Sequence, residues 1–309
     1  MGEGLEVLDK IDLNFSQNGL LALNITLAFI MFGVALDLKP THFTQLLKKP
    51  KPLLVGVVSQ FILLPAITFF LIQLLHLSTA VALGMLLVAS CPGGNISNFV
   101  SHLAKGNTAL SISLTAAATL LAIFMTPINF AFWGKLYAKS SPLLRPIEID
   151  PLQMFQTVFI LLGLPLIFGI FFSHKFPRLT QRILKPIKIL SIVAFMGFVV
   201  IALANNFGYF LRYIHLIIIL VLAHNAIALF TGYSAASIMG LSRPDRRSIT
   251  IETGIQNSGL ALVLMFNPKI FPAHLDIGGM AFIAAWWGVW HIISGLIIAT
   301  IWSRKSLKN

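Results

Sequence analysis

The chain has 309 residues, 57% of them hydrophobic and only 10% charged, with a mean hydropathy of +0.88. That balance excludes an ordinary soluble globular domain and defines a polytopic membrane protein. The net charge of +12 does not indicate a nucleic-acid partner, because the basic residues fall in short loops between apolar stretches, and the single cysteine, Cys91, excludes an internal disulfide and a cysteine-built metal site.

The segment 1–18 is polar and acidic, unlike the basic start of a cleavable signal peptide, and is expected outside the membrane. Nine stretches are then long enough to cross a hydrocarbon core of roughly 30 Å as helices: 20–38, 52–75, 79–103, 108–135, 152–173, 186–205, 212–239, 248–266 and 278–301. The expected fold is therefore all-α. With the loops assigned alternately to two sides, one side receives 16 of the 22 basic residues. The positive-inside bias puts the C-terminus in the cytoplasm and the N-terminus outside. The compact termini suit a bacterial inner-membrane protein, and Asn14-Phe15-Ser16 fits a glycosylation pattern on the outer side.

The third and eighth stretches are interrupted. The third carries Ser90-Cys91-Pro92-Gly93-Gly94-Asn95-Ile96-Ser97-Asn98, in which the proline removes a helix hydrogen bond and two glycines let the chain turn. The eighth carries Glu252-Thr253-Gly254-Ile255-Gln256-Asn257-Ser258-Gly259. Of ten acidic residues, Glu252 alone falls inside a span, Asp37 lying at the end of the first, and there an ionisable group costs a few kcal/mol and marks a functional site by default. The plain alternative, a Glu252 paired with Arg246 or Arg247 at the cytoplasmic edge, leaves Gln256 and Asn257 unexplained.

Interrupted spans in corresponding positions of two halves point to a transporter site. The third of four spans corresponds to the fourth of five, which predicts two inverted repeats, 19–145 with four helices and 146–309 with five, whose broken helices cross. Their N-terminal half-helix ends suit an anionic group and their C-terminal carbonyls a cation.

At Cys91-Pro92-Gly93-Gly94, Ser97-Asn98, Gly106-Asn107, Ala109-Leu110-Ser111, Glu252, Gly254 and Gln256-Asn257-Ser258-Gly259-Leu260-Ala261, the sequence resembles the bile acid:sodium symporter family. Phe32-Gly33, Leu38-Lys39-Pro40, Gln60 and Pro65 extend the resemblance over most of the chain. It implies a nine-helix member with a core domain (about 52–135 and 212–303), a panel domain (about 20–38 and 152–205), and two sodium ions. By the resemblance, one ion would be held by Ser97, Asn98, Ser111, Thr115 and Glu252. The other would be held by Gln60, Glu252 and Gln256 with the carbonyls of Thr253 and Ile255. Both are all-oxygen sets, as a hard cation requires. For substrate it points to Asn95 and its neighbour Ile96, Asn257 and His291. Against this, His291 could equally be interfacial in the Trp286, Trp287, Trp290 cluster, and Ile292 stands where some relatives carry an asparagine.

His224-Asn225 are polar within an apolar run and would bond across helices, while His102 beside Lys105 reads as a loop edge. No nucleophile–base pair, phosphate loop or ATP motif is present, so enzymatic chemistry is disfavoured. The sequence thus predicts a symporter, not an enzyme, with no cofactor beyond the coupling ions. Its partners would be sodium, an amphipathic organic anion such as a bile acid, and the bilayer, and a monomer is compatible. A small carboxylate such as pantoate or a keto acid, proton coupling through Glu252, and a non-transporting anion receptor stand as alternatives.

Overall fold

The computed structural model describes residues 2–11, 17–37, 50–94, 96–140, 150–272 and 275–304. The motif at 38–40, the pattern at 14–16 and Asn95 lie outside them. The described residues form twelve helices: α1 (Gly2–Asp9), α2 (Gln17–Asp37), α3 (Pro50–Leu75), α4 (Thr79–Ser90), α5 (Ile96–Leu103), α6 (Thr108–Ser140), α7 (Pro151–Lys175), α8 (Pro177–Asn205), α9 (Phe207–Ile238), α10 (Arg243–Gly254), α11 (Ser258–Met265) and α12 (Gly278–Arg304). Among them α3, α6, α7, α9 and α12 are each long and apolar enough to cross a membrane, and α2 and α4 contain shorter apolar helices. Outward-facing Phe70, Leu74, Ile219, Phe230 and Ile238 are all more than half exposed, which fits hydrocarbon rather than water as their surroundings.

The third and eighth stretches are each two short helices with a break between them, its described residues 91–94 in the third and 255–257 in the eighth. Two further interruptions keep the helix going. In α3 the turn Ser59–Leu63 is a π-helix, with Leu64 N–H donating to Ser59 O, and in α7 Phe159–Gly163 repeats the pattern. Each precedes a Leu-Pro pair, Leu64-Pro65 or Leu164-Pro165. Proline has no N–H to offer the carbonyl four residues back, and neighbouring side chains re-satisfy such groups in lipid. The Asn129 amide from α6 donates to Phe61 O at 2.8 Å.

Two packing groups result. α2 runs along the second half of α7 and along α8. Around the breaks, α4 packs on α12 and α6, α9 on α10, and α5 on α6 and α12. Trp287, Phe61 and Phe130 are the largest fully buried side chains of the main apolar core.

The N-terminal segment, expected only as a polar tail, begins with a docked helix. Leu5 and Leu8, one turn apart on α1, are buried. Asp9 accepts from Ser78 Oγ at 2.9 Å and from Ala80 N–H at 3.2 Å, at the start of α4. Burial raises the Asp9 carboxyl to about 6, against the lowering effect of those hydrogen bonds, with Asp276 and Glu6 adding to the rise. A carboxyl raised on docking favours the docked state in acid, and that contribution is lost as pH rises through about 6. Hydrogen exchange of residues 2–9, corrected for intrinsic rates, should therefore show stronger protection at pH 5 than at pH 8, and Asp9→Asn should remove the difference.

Candidate functional site at the crossover

The two breaks pair with each other. Gly93 and Gln256 form an isolated antiparallel bridge, with Gly94 N–H donating to Ile255 O at 2.7 Å and Asn257 N–H to Pro92 O at 2.8 Å. Extended backbone buried this deeply needs partners for its polar groups, and each break supplies them to the other. The glycines permit the approach: a Cβ on Gly93 would lie 2.8 Å from Glu252 Oε2, and one on Gly94 would lie 3.2 Å from Gln256 O. At this point α4 and α10 end while α5 and α11 begin, so two C-terminal and two N-terminal half-helix ends meet.

Glu252, in the last turn before the second break, is fully buried. Its Oε1 accepts from Ser97 Oγ at 2.5 Å, Ser111 Oγ at 2.5 Å and Thr115 Oγ1 at 3.0 Å; Oε2 lies 3.1 Å from Thr115 Oγ1. Asn98 Oδ1 is 2.9 Å from Ser111 Oγ and 3.1 Å from Thr115 Oγ1. The i, i+4 spacing of Ser111 and Thr115 puts both on one face of α6. Each hydroxyl has one proton, yet Ser111 and Thr115 stand within reach of several acceptors at once. The cluster therefore holds more oxygen lone pairs than protons to satisfy them. Arg246 and Arg247 are used elsewhere: Arg246 donates to Leu241 O at 2.6 Å, and Arg247 donates to Ala104 O at 2.8 Å and lies over the Trp302 ring.

Beside the cluster, buried polar atoms stand without hydrogen-bond partners: both amide atoms of Gln60, Gln256 Oε1 and Thr253 Oγ1. Gln60 reaches the same place from α3, since the Cβ position that meets Glu252 Oε2 lies 3.2 Å from Gln60 Nε2. Orphaned buried groups cost about 1–3 kcal/mol each, and an absent ion or water is one explanation such groups call for. Thr253 O accepts from Gln256 Nε2 at 2.8 Å. Ile255 O accepts from Gly94 in the bridge.

All five residues of the first expected ion set and all five of the second thus converge on the crossover. Of the expected substrate residues among those described, Asn257 and Ile96 stand at the crossover itself and His291 on α12. Asn257 caps α11, its Oδ1 accepting from Leu260 N–H at 3.0 Å, and Ile96 opens α5. His291 is 5% exposed with Nδ1 unpartnered, so it belongs to the interior rather than to an interfacial belt. His102 is exposed beside Lys105, at a loop edge as expected. His224 and Asn225 do bond across helices, to Thr68 Oγ1 at 2.8 Å and to Gly254 O at 2.7 Å.

Sequence reasoning missed the caps of the freed carbonyls. Thr126 Oγ1 donates to Ser90 O at 2.8 Å, where α4 ends, and Asn129 serves α3. The available signal was Thr126-Pro127-Ile128-Asn129 within an apolar run, but nothing in it names the carbonyls these side chains serve. On the side of the helix ends away from the crossover, Asn107 Nδ2 donates to Asp245 Oδ1 at 2.7 Å and Ser248 Oγ to Asn107 O at 2.9 Å. These bonds tie the α5–α6 turn to the start of α10.

An all-helical membrane protein whose polar centre lies where two interrupted helices meet has the architecture of a secondary transporter. A family model described as the Sodium Bile acid symporter family matches residues 24–213. The chain is 32% identical over 290 residues to the sodium-dependent transporter YocS of Bacillus subtilis, covering 93% of this chain and 84% of that one. It is 31% identical over 288 residues to a probable chloroplastic sodium/metabolite cotransporter of Arabidopsis thaliana (92% and 67%). It is 29% identical over 279 residues to the human ileal sodium/bile acid cotransporter (86% and 77%). The chain belongs to the sodium bile acid symporter family, and these three relatives are named as transporters and not as enzymes.

The tightness at Gly93 gives a direct expectation. Gly93→Ala should destabilise the purified protein by about 1–3 kcal/mol, the usual cost of overpacking, read as a lowered melting temperature in detergent. The same change at exposed Gly208, where a Cβ meets nothing within 4 Å, should do far less.

Proposed function

We propose that this chain is a sodium-coupled symporter that imports an amphipathic organic anion, such as a bile acid, by alternating access. The observation that carries the reading is the surplus of oxygen lone pairs over protons around Glu252. A small hard cation satisfies such a set, because hydroxyl, amide and carboxylate oxygens turn lone pairs toward it while the hydroxyl protons turn outward. One sodium is assigned to Ser97, Asn98, Ser111, Thr115 and Glu252. The second is assigned to Gln60, Glu252 and Gln256 with Thr253 O and Ile255 O, each of which retains a second lone pair beside its hydrogen bond. The unpartnered amide oxygens of Gln60 and Gln256 support the second assignment.

The positive ends of α5 and α11 favour a carboxylate or sulfonate near the crossover, where Asn95, Ile96, Asn257 and His291 would meet it. The name of the ileal relative supports a bile acid. The chloroplast relative is named for a metabolite, and a second reading is a small carboxylate such as pantoate or a keto acid. In the mechanism, sodium neutralises Glu252 and stiffens the paired breaks, which completes the anion site, and the panel then moves to expose it to the cytoplasm. We read the panel as α2, α7 and α8, supported by their mutual packing, and the remainder as the core. We read nine membrane crossings in two inverted repeats, with the N-terminus outside and the C-terminus in the cytoplasm, a reading supported by the two breaks and by the 16 of 22 basic residues on one side.

Proteoliposomes loaded under an inward sodium gradient should accumulate radiolabelled taurocholate or pantoate, and an equal potassium gradient should not drive uptake. Glu252→Ala and Gln60→Ala should each lower sodium-driven uptake by about tenfold or more, as loss of a metal-site group does. Sodium-dependent accumulation surviving both changes would defeat the ion assignment. Uptake driven by a pH gradient without sodium would replace it with proton coupling through Glu252, and binding without accumulation would indicate a receptor.

A further inference from the structure

α9 carries two adjacent polar residues deep in an apolar stretch, and each is fully buried. His224 Nε2 pairs with Thr68 Oγ1 of α3, two turns along the helix from Gln60, and its ring lies 4.8 Å from that of Trp287 on α12. Asn225 faces the second break. Its Nδ2 donates to Gly254 O at 2.7 Å, and its Oδ1 accepts from Ser294 Oγ of α12 at 2.6 Å. The amide orientation is forced, because a carbonyl on one side requires N–H and a hydroxyl on the other supplies a proton.

Gly254 is the last residue of α10, two after Glu252 and one after Thr253. Its carbonyl is freed by the break and would otherwise be a mobile acceptor at the edge of the second ion set. Ser294 stands one turn beyond His291 on α12, and its single proton has two acceptors, Asn225 Oδ1 at 2.6 Å and His291 O at 3.1 Å. A shift of α12 can therefore move that proton between Asn225 and the helix's own backbone.

We propose that Asn225, held by Ser294, is a positioning residue that fixes the end of α10 and so links the position of α12 to sodium affinity at the crossover. The proposal rests on the sodium reading above. Gly254 stands between Thr253 and Ile255, whose carbonyls belong to the second proposed ion set, and partners that orient metal ligands typically change affinity by about 10–100-fold when removed, so the effect belongs in sodium binding and not only in stability.

The test is sodium-dependent thermal stabilisation of the purified full chain, titrated with NaCl against KCl at constant ionic strength. Asn225→Ala should raise the half-saturating sodium concentration by about tenfold or more, and Ser294→Ala should raise it by a smaller factor. The double change should add little to Asn225→Ala, because the two act in series. Where Asn225→Ala does not yield folded protein, Ser294→Ala alone carries the test. Lower melting temperatures in KCl with unchanged half-saturating sodium would mean a merely structural role and overturn the proposal, as would effects that multiply independently. An unsubstituted chain with no sodium-dependent shift would overturn the ion sites themselves, and the link with them.

Discussion

Two backbone hydrogen bonds, Gly94 to Ile255 and Asn257 to Pro92, make the polar centre possible. An irregular segment at bilayer depth carries N–H and C=O groups that hydrocarbon cannot satisfy. One broken helix alone would expose them, whereas two breaks laid antiparallel satisfy each other. Once they are joined, Glu252, Ser97, Gln256 and the start of α11 have fixed relative positions. Ser111 and Thr115 from α6 and Gln60 from α3 need only reach inward. The pairing also sets the steric demand: a bridge at this separation with a carboxylate beside it leaves room for glycine at 93 and little else.

Three further freed carbonyls are treated in one way. Ser90 O is taken by Thr126, Phe61 O by Asn129 and Gly254 O by Asn225. Each cap comes from a neighbouring helix, so each also ties two elements together at the depth where the breaks weaken them. Against that background the unpartnered atoms of Gln60, Gln256 and Thr253 stand out. They gather at one place, beside Glu252, where a bound ion would give them partners.

The class of fold and the place of the centre were legible in the sequence because both rest on local chemistry. Apolar length marks spans, Pro92-Gly93-Gly94 marks a break, and a lone carboxylate in a span marks a site. Helix limits shifted where polar residues continue a helix beyond the apolar stretch: α8 starts at Pro177 rather than 186 and α10 at Arg243 rather than 248. The helix α1 escaped notice although Leu5 and Leu8 carry a helical spacing, because eight residues are too few for periodicity to stand out from a polar tail. The caps were not legible at all. Thr126 and Asn129 read as ordinary polar residues, since the carbonyls they serve lie on other helices far along the chain. Even His224-Asn225, visible as a polar pair, gave no partner until α9 was packed on α10.

Charge closes the argument about what the centre can carry. Glu252 is the one carboxylate in both proposed ion sets, so a first sodium brings the buried cluster to neutrality and a second leaves it with one positive charge. In a low-dielectric interior such a charge needs a partner nearby. The N-terminal ends of α5 and α11 at the same crossing are themselves partly positive, which adds to the demand for an anion. A monoanion completes the balance, and its binding is then favoured only after both ions are in place. On this reading obligatory coupling needs no separate gate: an empty centre presents Glu252 and repels the anion, while a filled one attracts it.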